Sequence, residues 1–157
     1  MADHPAVERV RAHAQAHGAP VEIRRYPAGT HTAQDAAAAI GCDVAQIVKS
    51  LVFLAAGDPV VVLVSGSDRV DESKLAAVLG ASSVRRATAN EARDATGFVV
   101  GGVPPFGHKA PIPVVVDSAL LRHDEVWAAA GLPDAVFPVR PADLVRLASA
   151  TEADVRV

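Results

Sequence analysis

The order of secondary-structure signals along this chain predicts a mixed α+β fold rather than a doubly wound α/β sheet. Three observations carry that expectation. Strands and helices follow one another in irregular order, with no repeated strand-helix alternation. Two strongly apolar segments, Val48–Ala55 and Pro59–Ser65, are separated only by Ala56-Gly57-Asp58, which reads as two neighbouring strands buried on both faces. Short helical segments are bracketed by N-cap residues and glycine stops. At 157 residues, 50% hydrophobic and 21% charged, the chain is expected to form one domain over 1–157, without repeats or low-complexity linkers.

The elements follow in order. Val7, Val10, Ala14 and Ala16 recur at helical spacing within residues 5–17, and Gly18 supplies a stop. Residues Val21 to Tyr26 alternate like a strand and end at Pro27. Thr32 heads an alanine-rich helix closing at Gly41, with Asp35 where a capping box has Glu. Asp43 caps a short turn before the Val48 strand. Asp71 heads a helix that ends at Gly80, and Thr88-Ala89-Asn90-Glu91 is a full capping box. Thr96-Gly97-Phe98-Val99-Val100 reads as an apolar strand running into the loop Gly101-Gly102-Val103-Pro104-Pro105-Phe106-Gly107-His108. Strands at Ile112 to Val116, ending at Asp117, at Val126 to Ala130 and at Ala135 to Val139 precede a last helix from Pro141 to Ala148.

Composition narrows the function. The net charge of −3 and pI of about 6.0 provide no basic field for tracking along a duplex, so any nucleic-acid contact must be local and DNA is not an expected partner. No apolar run approaches the ~18 residues needed to span a bilayer, and Met1-Ala2-Asp3-His4-Pro5 lacks the regions of a signal peptide, so a cytoplasmic location is expected. A single cysteine, Cys42, excludes an intrachain disulfide and a multi-cysteine metal site.

Two segments are chemically pointed. Lys49 and Ser50 interrupt an apolar strand and, with a period of two, face opposite sides, Lys49 sharing its side with Leu51 and Phe53. Such a lysine either extends its ammonium to the rim or meets an anionic ligand. The Gly101–Gly107 loop joins glycines that permit close backbone approach to prolines that stiffen it. It is either a stiff connection or a backbone cradle for a carbonyl or oxyanion, and it matches neither the P-loop nor the dinucleotide fingerprint. Hydrolytic nucleophile motifs are absent. Cys42 reads as a packing residue more readily than as an activated thiol. His13 and His17 have metal-pair spacing but no third ligand, and read as a solvated helix face. His31 and His123 are scattered, whereas His108 abuts the loop. Asp117 either orients Lys49 or His108 or caps the next turn. Arg24-Arg25 and Arg85-Arg86 are basic pairs of the kind that are solvated or touch phosphates.

The combination I-V-K-S-L-V-F at Ile47 to Phe53 with T-G-x-x-x-G-G-V-P-P-F-G-H at Thr96 to His108 resembles the YbaK and prolyl-tRNA synthetase editing-domain family, the free-standing aminoacyl-tRNA deacylases. The similarity extends to the helix start at Thr32, the strand ending at Asp117 and V-W-A-A-A-G at Val126 to Gly131. It implies a single domain with a curved, barrel-like mixed sheet around a small pocket. It further implies trans-editing hydrolysis of the ester on a mischarged tRNA, most often tRNA for proline carrying a small amino acid such as alanine, with no cofactor and no metal. The implied partners are the acceptor end of an aminoacyl-tRNA and, transiently, prolyl-tRNA synthetase. Lys49 would hold the tRNA 3′ end, and Gly101 and Gly102 would position the scissile ester, with water and the ribose hydroxyl completing the reaction. Thr32, Ser50, Leu51, Phe53, Ser65 and Gly66 would belong to the substrate-binding surface. So would Val103, Pro104, Pro105, Phe106, Gly107 and His108, together with Asp117, Ala129 and Ala130. Two departures stand out: Pro105 replaces a small or polar residue, and Ala128-Ala129-Ala130 lacks the serine of the cysteine-clearing relatives. The competing reading is a non-catalytic tRNA-end or aminoacyl-ligand binding protein on the same fold.

Overall fold

The computed structural model describes residues 3–26 and 32–157, so His31 lies outside the described residues. The first half of the chain forms α1 (Pro5–Ala16), β1 (Arg24–Arg25), α2 (Ala33–Ile40), β2 (Val48–Ala55), β3 (Asp58–Ser65), α3 (Glu72–Leu79) and β4 (Val84–Arg86). The second half forms α4 (Ala89–Thr96), β5 (Val114–Asp117), β6 (Val126–Ala129), β7 (Ala135–Val139), α5 (Pro141–Ala148) and β8 (Thr151–Ala153). Short 3-10 turns occur at Val44–Gln46 and Ser118–Arg122. Among the described residues no helix is long and apolar enough to cross a membrane.

The helix ends are set by the expected side chains. Thr32 accepts from the Asp35 N–H, Asp71 accepts from the N–H groups of Ser73 and Lys74, and Thr88 and Glu91 close a reciprocal capping box. Gly41, Gly80 and Gly97 end three helices in the left-handed region.

Strands assemble into a five-stranded sheet of order β4-β2-β3-β5-β8 and a three-stranded sheet of order β1-β7-β6. The β2–β3 hairpin is antiparallel, whereas β3–β5 and β5–β8 are parallel. An isolated parallel bridge between Ile47 and Trp127 joins the two sheets. The period-two pattern then sorts side chains into layers. Val48, Val52, Val61, Leu63, Val114 and Val116 face a core shared with the second sheet, α1, α4 and α5. Phe53, Val60, Val62 and Val115 face the opposite way, onto Leu75 of α3 and Val155. A third cluster packs Ala36 and Ala37 of α2 against Trp127 and Val136 of the smaller sheet.

Several expectations need correction. Of the segment from Val21 to Tyr26 only Arg24 and Arg25 pair, against Val136 and Ala135. The apolar run after Thr96 is not a strand. Thr96 is the last residue of α4, its Oγ1 donating to the Ala92 carbonyl and accepting from the Phe98 N–H, and Gly97 breaks the direction at φ +82°. Val99 and Val100 are consequently exposed. Burial on both faces holds for the central strand β3 but not for β2, which has several half-buried residues. Two short edge strands, β4 and β8, carried too little periodicity to be read from the sequence.

Candidate functional site

A cavity of about 460 Å³ opens where the two sheets part beside the Ile47–Trp127 bridge. β2 forms one wall from Val48 to Val52, and Trp127, Ala128 and Ala129 of β6 form another. Thr32, Ala33 and Ala36 close it from α2, Ala89 and Ala92 from α4, and Gly101, Val103 and Pro133 from loops. The lining is therefore mainly alanine and valine, with few polar groups and no Asp or Glu among the described residues. Small apolar walls with sparse polar groups suit a small organic ligand.

Cations stand at the cavity. Lys49 is half-buried, and its Nζ donates to the Asp68 carbonyl at 2.5 Å. Burial pushes its pKa below the ordinary lysine value; the Asp68 carboxylate opposes the shift, and Arg86 and Arg69 add to it. Arg86 also lines the cavity, with its guanidinium 5.8 Å from the Phe53 ring centroid. This arrangement leaves excess positive charge where an anionic group can relieve the repulsion. On the α2 side the Arg24 guanidinium lies 5.0 Å from the Trp127 ring centroid.

The structure divides the residues that the sequence singled out. Lys49, Ser50, Leu51, Thr32, Gly101, Val103 and Ala129 meet at the cavity. Gly102 does not line it. A Cβ on Gly102 would lie 2.8 Å from the Leu132 Cα and 2.9 Å from the Gly131 carbonyl oxygen, so its bareness serves packing between two loops. Its N–H is already donated to the Val99 carbonyl at 3.0 Å. Pro104, Pro105 and Phe106 are buried, and Phe106 stacks on His13 at 4.8 Å. Phe106, Gly107 and His108 border a separate, wider depression with Lys109, Ile112 and Leu147. His108 Nε2–H donates to the Pro104 carbonyl at 2.8 Å, and burial pushes its pKa below the usual histidine value despite that bond. The ring therefore fastens the loop.

Phe53 lies on the α3 face of β2, and Ala130 is buried away from the cavity. Ser65 donates to the Ala45 carbonyl, and a Cβ on Gly66 would meet the Val44 carbonyl oxygen at 2.6 Å, so both brace the turn before β2. Asp117 is fully buried and accepts from the N–H groups of Ala119 and Val155, which resolves its role as a cap rather than as a partner of Lys49 or His108. Cys42 packs beneath α2, and burial pushes its thiol pKa up rather than down. The His13 and His17 rings stack at 4.2 Å and each bonds a backbone carbonyl. Among the described residues no cluster of three or more His, Cys, Asp or Glu could hold a metal.

Sequence reasoning missed Arg86 as a cavity residue, along with Val136 and Pro133. The Arg85-Arg86 pair was visible. Alternation would have placed one arginine on each side of a strand, had β4 been recognised. Arg85 instead pairs with Glu91.

Residues 27–147 match the family profile of the aminoacyl-tRNA editing domain. A solved structure described as that of a proposed trans-editing enzyme for prolyl-tRNA synthetase is similar at 41% identity and a TM-score of 0.93, covering 99% of each chain. The uncharacterized protein YwhH of Bacillus subtilis (strain 168) is 29% identical over 140 residues, 88% of either chain. The proline–tRNA ligase of Limosilactobacillus fermentum is 35% identical over 97 residues, which are 59% of this chain and 17% of the ligase.

Proposed function

The chain belongs to the aminoacyl-tRNA editing domain family, and from that premise we propose that it is a single-domain trans-editing deacylase. It hydrolyses the ester of a mischarged tRNA, in the first instance tRNA for proline carrying a small amino acid such as alanine. The observation that supports this most directly is the alanine-walled cavity with Lys49 and Arg86 beside it. An apolar aminoacyl group fits the walls, and the phosphate of the terminal nucleotide fits the cations. The likeness to a protein proposed to serve prolyl-tRNA synthetase, together with the match to proline–tRNA ligase, favours the proline system.

In this reading Lys49 exchanges its bond to the Asp68 carbonyl for a backbone phosphate oxygen of the acceptor end. Gly101, at φ +91° on the cavity wall, lets backbone approach the scissile ester. Among the described residues the hydroxyls lining the cavity belong to Thr32 and Ser50, and neither is bonded to a histidine or carboxylate side chain that could activate it. In this reading, as the family resemblance implies, water activated by the ribose hydroxyl of the substrate carries the chemistry, and the protein supplies position and desolvation.

The test is deacylation of several mischarged tRNAs, alongside a tRNA ending in 2′-deoxyadenosine with the amino acid on the 3′ oxygen. Alanyl-tRNA for proline should be cleared, and the deoxy substrate should bind but turn over about 10²- to 10⁴-fold more slowly. Tight binding without turnover of any aminoacyl-tRNA would establish a binding protein instead.

A further inference from the structure

Consecutive polar residues on β2 meet opposite fates. Both line the cavity, but Lys49 reaches the Asp68 carbonyl, whereas Ser50 shares its strand face with Val48 and Val52. Among the described residues the Ser50 Oγ is the single buried side-chain nitrogen or oxygen with no hydrogen-bond partner. An unpaired buried hydroxyl is a net cost to the fold, which valine or alanine at the same strand position would avoid. Such a group is accounted for when its partner arrives with a ligand.

The remaining polar groups of the cavity say which ligand atom that is. The Thr32 Oγ1 is engaged by the Asp35 N–H, and Lys49 and Arg86 are cations that can only donate. Among the described residues no carboxylate lines the cavity. An aminoacyl ester brings an α-amino group whose N–H donors need an acceptor inside this wall. Lys49 and Arg86 repel that group whenever it is protonated.

We propose that the Ser50 Oγ accepts a hydrogen bond from the α-amino group of the aminoacyl ester, making Ser50 the residue that orients the substrate and selects free α-amino acyl esters over N-blocked or amine-free ones. The inference rests on the deacylase reading. The hydroxyl is closed off from solvent, so a turn about χ1 accompanies ligand binding, a motion of low barrier for serine.

The experiment pairs two substrates that differ only in the amine, alanyl-tRNA and propionyl-tRNA, with the wild type, Ser50→Ala and Ser50→Thr. Ser50→Ala should lower kcat/KM for alanyl-tRNA about 10-fold, the scale of one hydrogen bond of roughly 1.4 kcal/mol. It should change propionyl-tRNA less than 2-fold, and Ser50→Thr should restore the preference for the amine. Melting temperature should stay level or rise in Ser50→Ala, because an unpaired hydroxyl is removed. Equal losses on both substrates, or no loss on alanyl-tRNA, overturn the proposal. A second readout separates it from the deacylase reading: binding of amide-linked 3′-alanylamino- and 3′-propionylamino-3′-deoxyadenosine, neither of which is an ester. If no tRNA is deacylated yet Ser50→Ala weakens only the alanyl analogue, the α-amino contact stands and the deacylase reading falls. If both analogues weaken equally, or neither does, the contact falls whatever the turnover shows.

Discussion

The two ends of the loop from Gly101 to His108 are built from the same residue types and do different work. At its start Gly101 and Val103 border the cavity, with Gly101 exposed and left-handed. Pro104, Pro105 and Phe106 are buried, and His108 bonds back to the Pro104 carbonyl. Glycine beside a cavity and glycine against a neighbouring backbone look alike in a sequence. The difference is what a Cβ would touch: for Gly101 the nearest atom is the Pro133 Cγ at 3.7 Å, and for Gly102 it is the Leu132 backbone at 2.8 Å. The start of the loop borders the cavity, and the rest holds that border in place.

Substitutions can break this division. The largest effect belongs to Gly102→Val, which drives a branched side chain into the backbone of Gly131 and Leu132. Thermal unfolding should show a loss of several kcal/mol or failure to fold. Gly101→Ala by comparison should cost about 1 kcal/mol, from its positive φ, and should affect turnover more than stability. A Gly102→Val protein with wild-type melting temperature would abolish the distinction drawn between the two glycines.

Next in size is Lys49→Ala. Loss of the proposed phosphate contact should reduce kcat/KM about 10²-fold, with the melting temperature nearly unchanged because the Nζ partner is a single carbonyl near the surface. Lys49→Arg should rescue poorly, since a planar fork does not replace a compact ammonium. Unfolding of Lys49→Ala without a specific activity defect would move Lys49 to the structural half.

A smaller effect is expected at His108. Its folded-state pKa is depressed, so the unfolded chain binds the proton more readily, and stability is full above the ordinary histidine pKa of about 6.5. It is lost as pH falls from there toward the folded-state value. Melting temperatures between pH 8 and 5 should fall more for the wild type than for His108→Gln, which keeps a donor for the Pro104 carbonyl without a titrating ring. Activity at pH 8 should be alike in the two proteins. The smallest effect is the salt dependence of tRNA binding: contact confined to the acceptor end predicts a slope corresponding to roughly one to three phosphates. A steeper slope would mean that the proposed tRNA contact extends well beyond Lys49 and Arg86.

Local chemistry was legible in the chain where one residue decides it. Thr32, Asp71 and Thr88 cap their helices, Gly41, Gly80 and Gly97 end them, and the strands β2 and β7 begin and end at the residues that the apolar pattern marks. Long-range decisions were not. Nothing next to Val84-Arg85-Arg86 announces that it pairs with Phe53 to Ala55, and so the second cation of the cavity stayed hidden among solvated arginines. The run from Phe98 to Val100 has strand composition, but a helix end at Thr96 and a left-handed Gly97 leave it no partner strand. The family resemblance drew the whole Gly101–His108 segment toward the substrate because motifs do not record which side chains turn inward.

Among the described residues one isolated bridge, Ile47 to Trp127, joins the two sheets, and the cavity beside it is lined in part by alanines of α2, α4 and β6. Among the described residues no strand ladder joins the two sheets across that gap, so the side chains lining it help to set its width. Enlarging Ala36, Ala92 or Ala128, all of them buried, would narrow the cavity at some cost in packing while removing no backbone bond of a strand pair. Single substitutions at these walls would therefore change which small groups the cavity admits before they change the order of the strands.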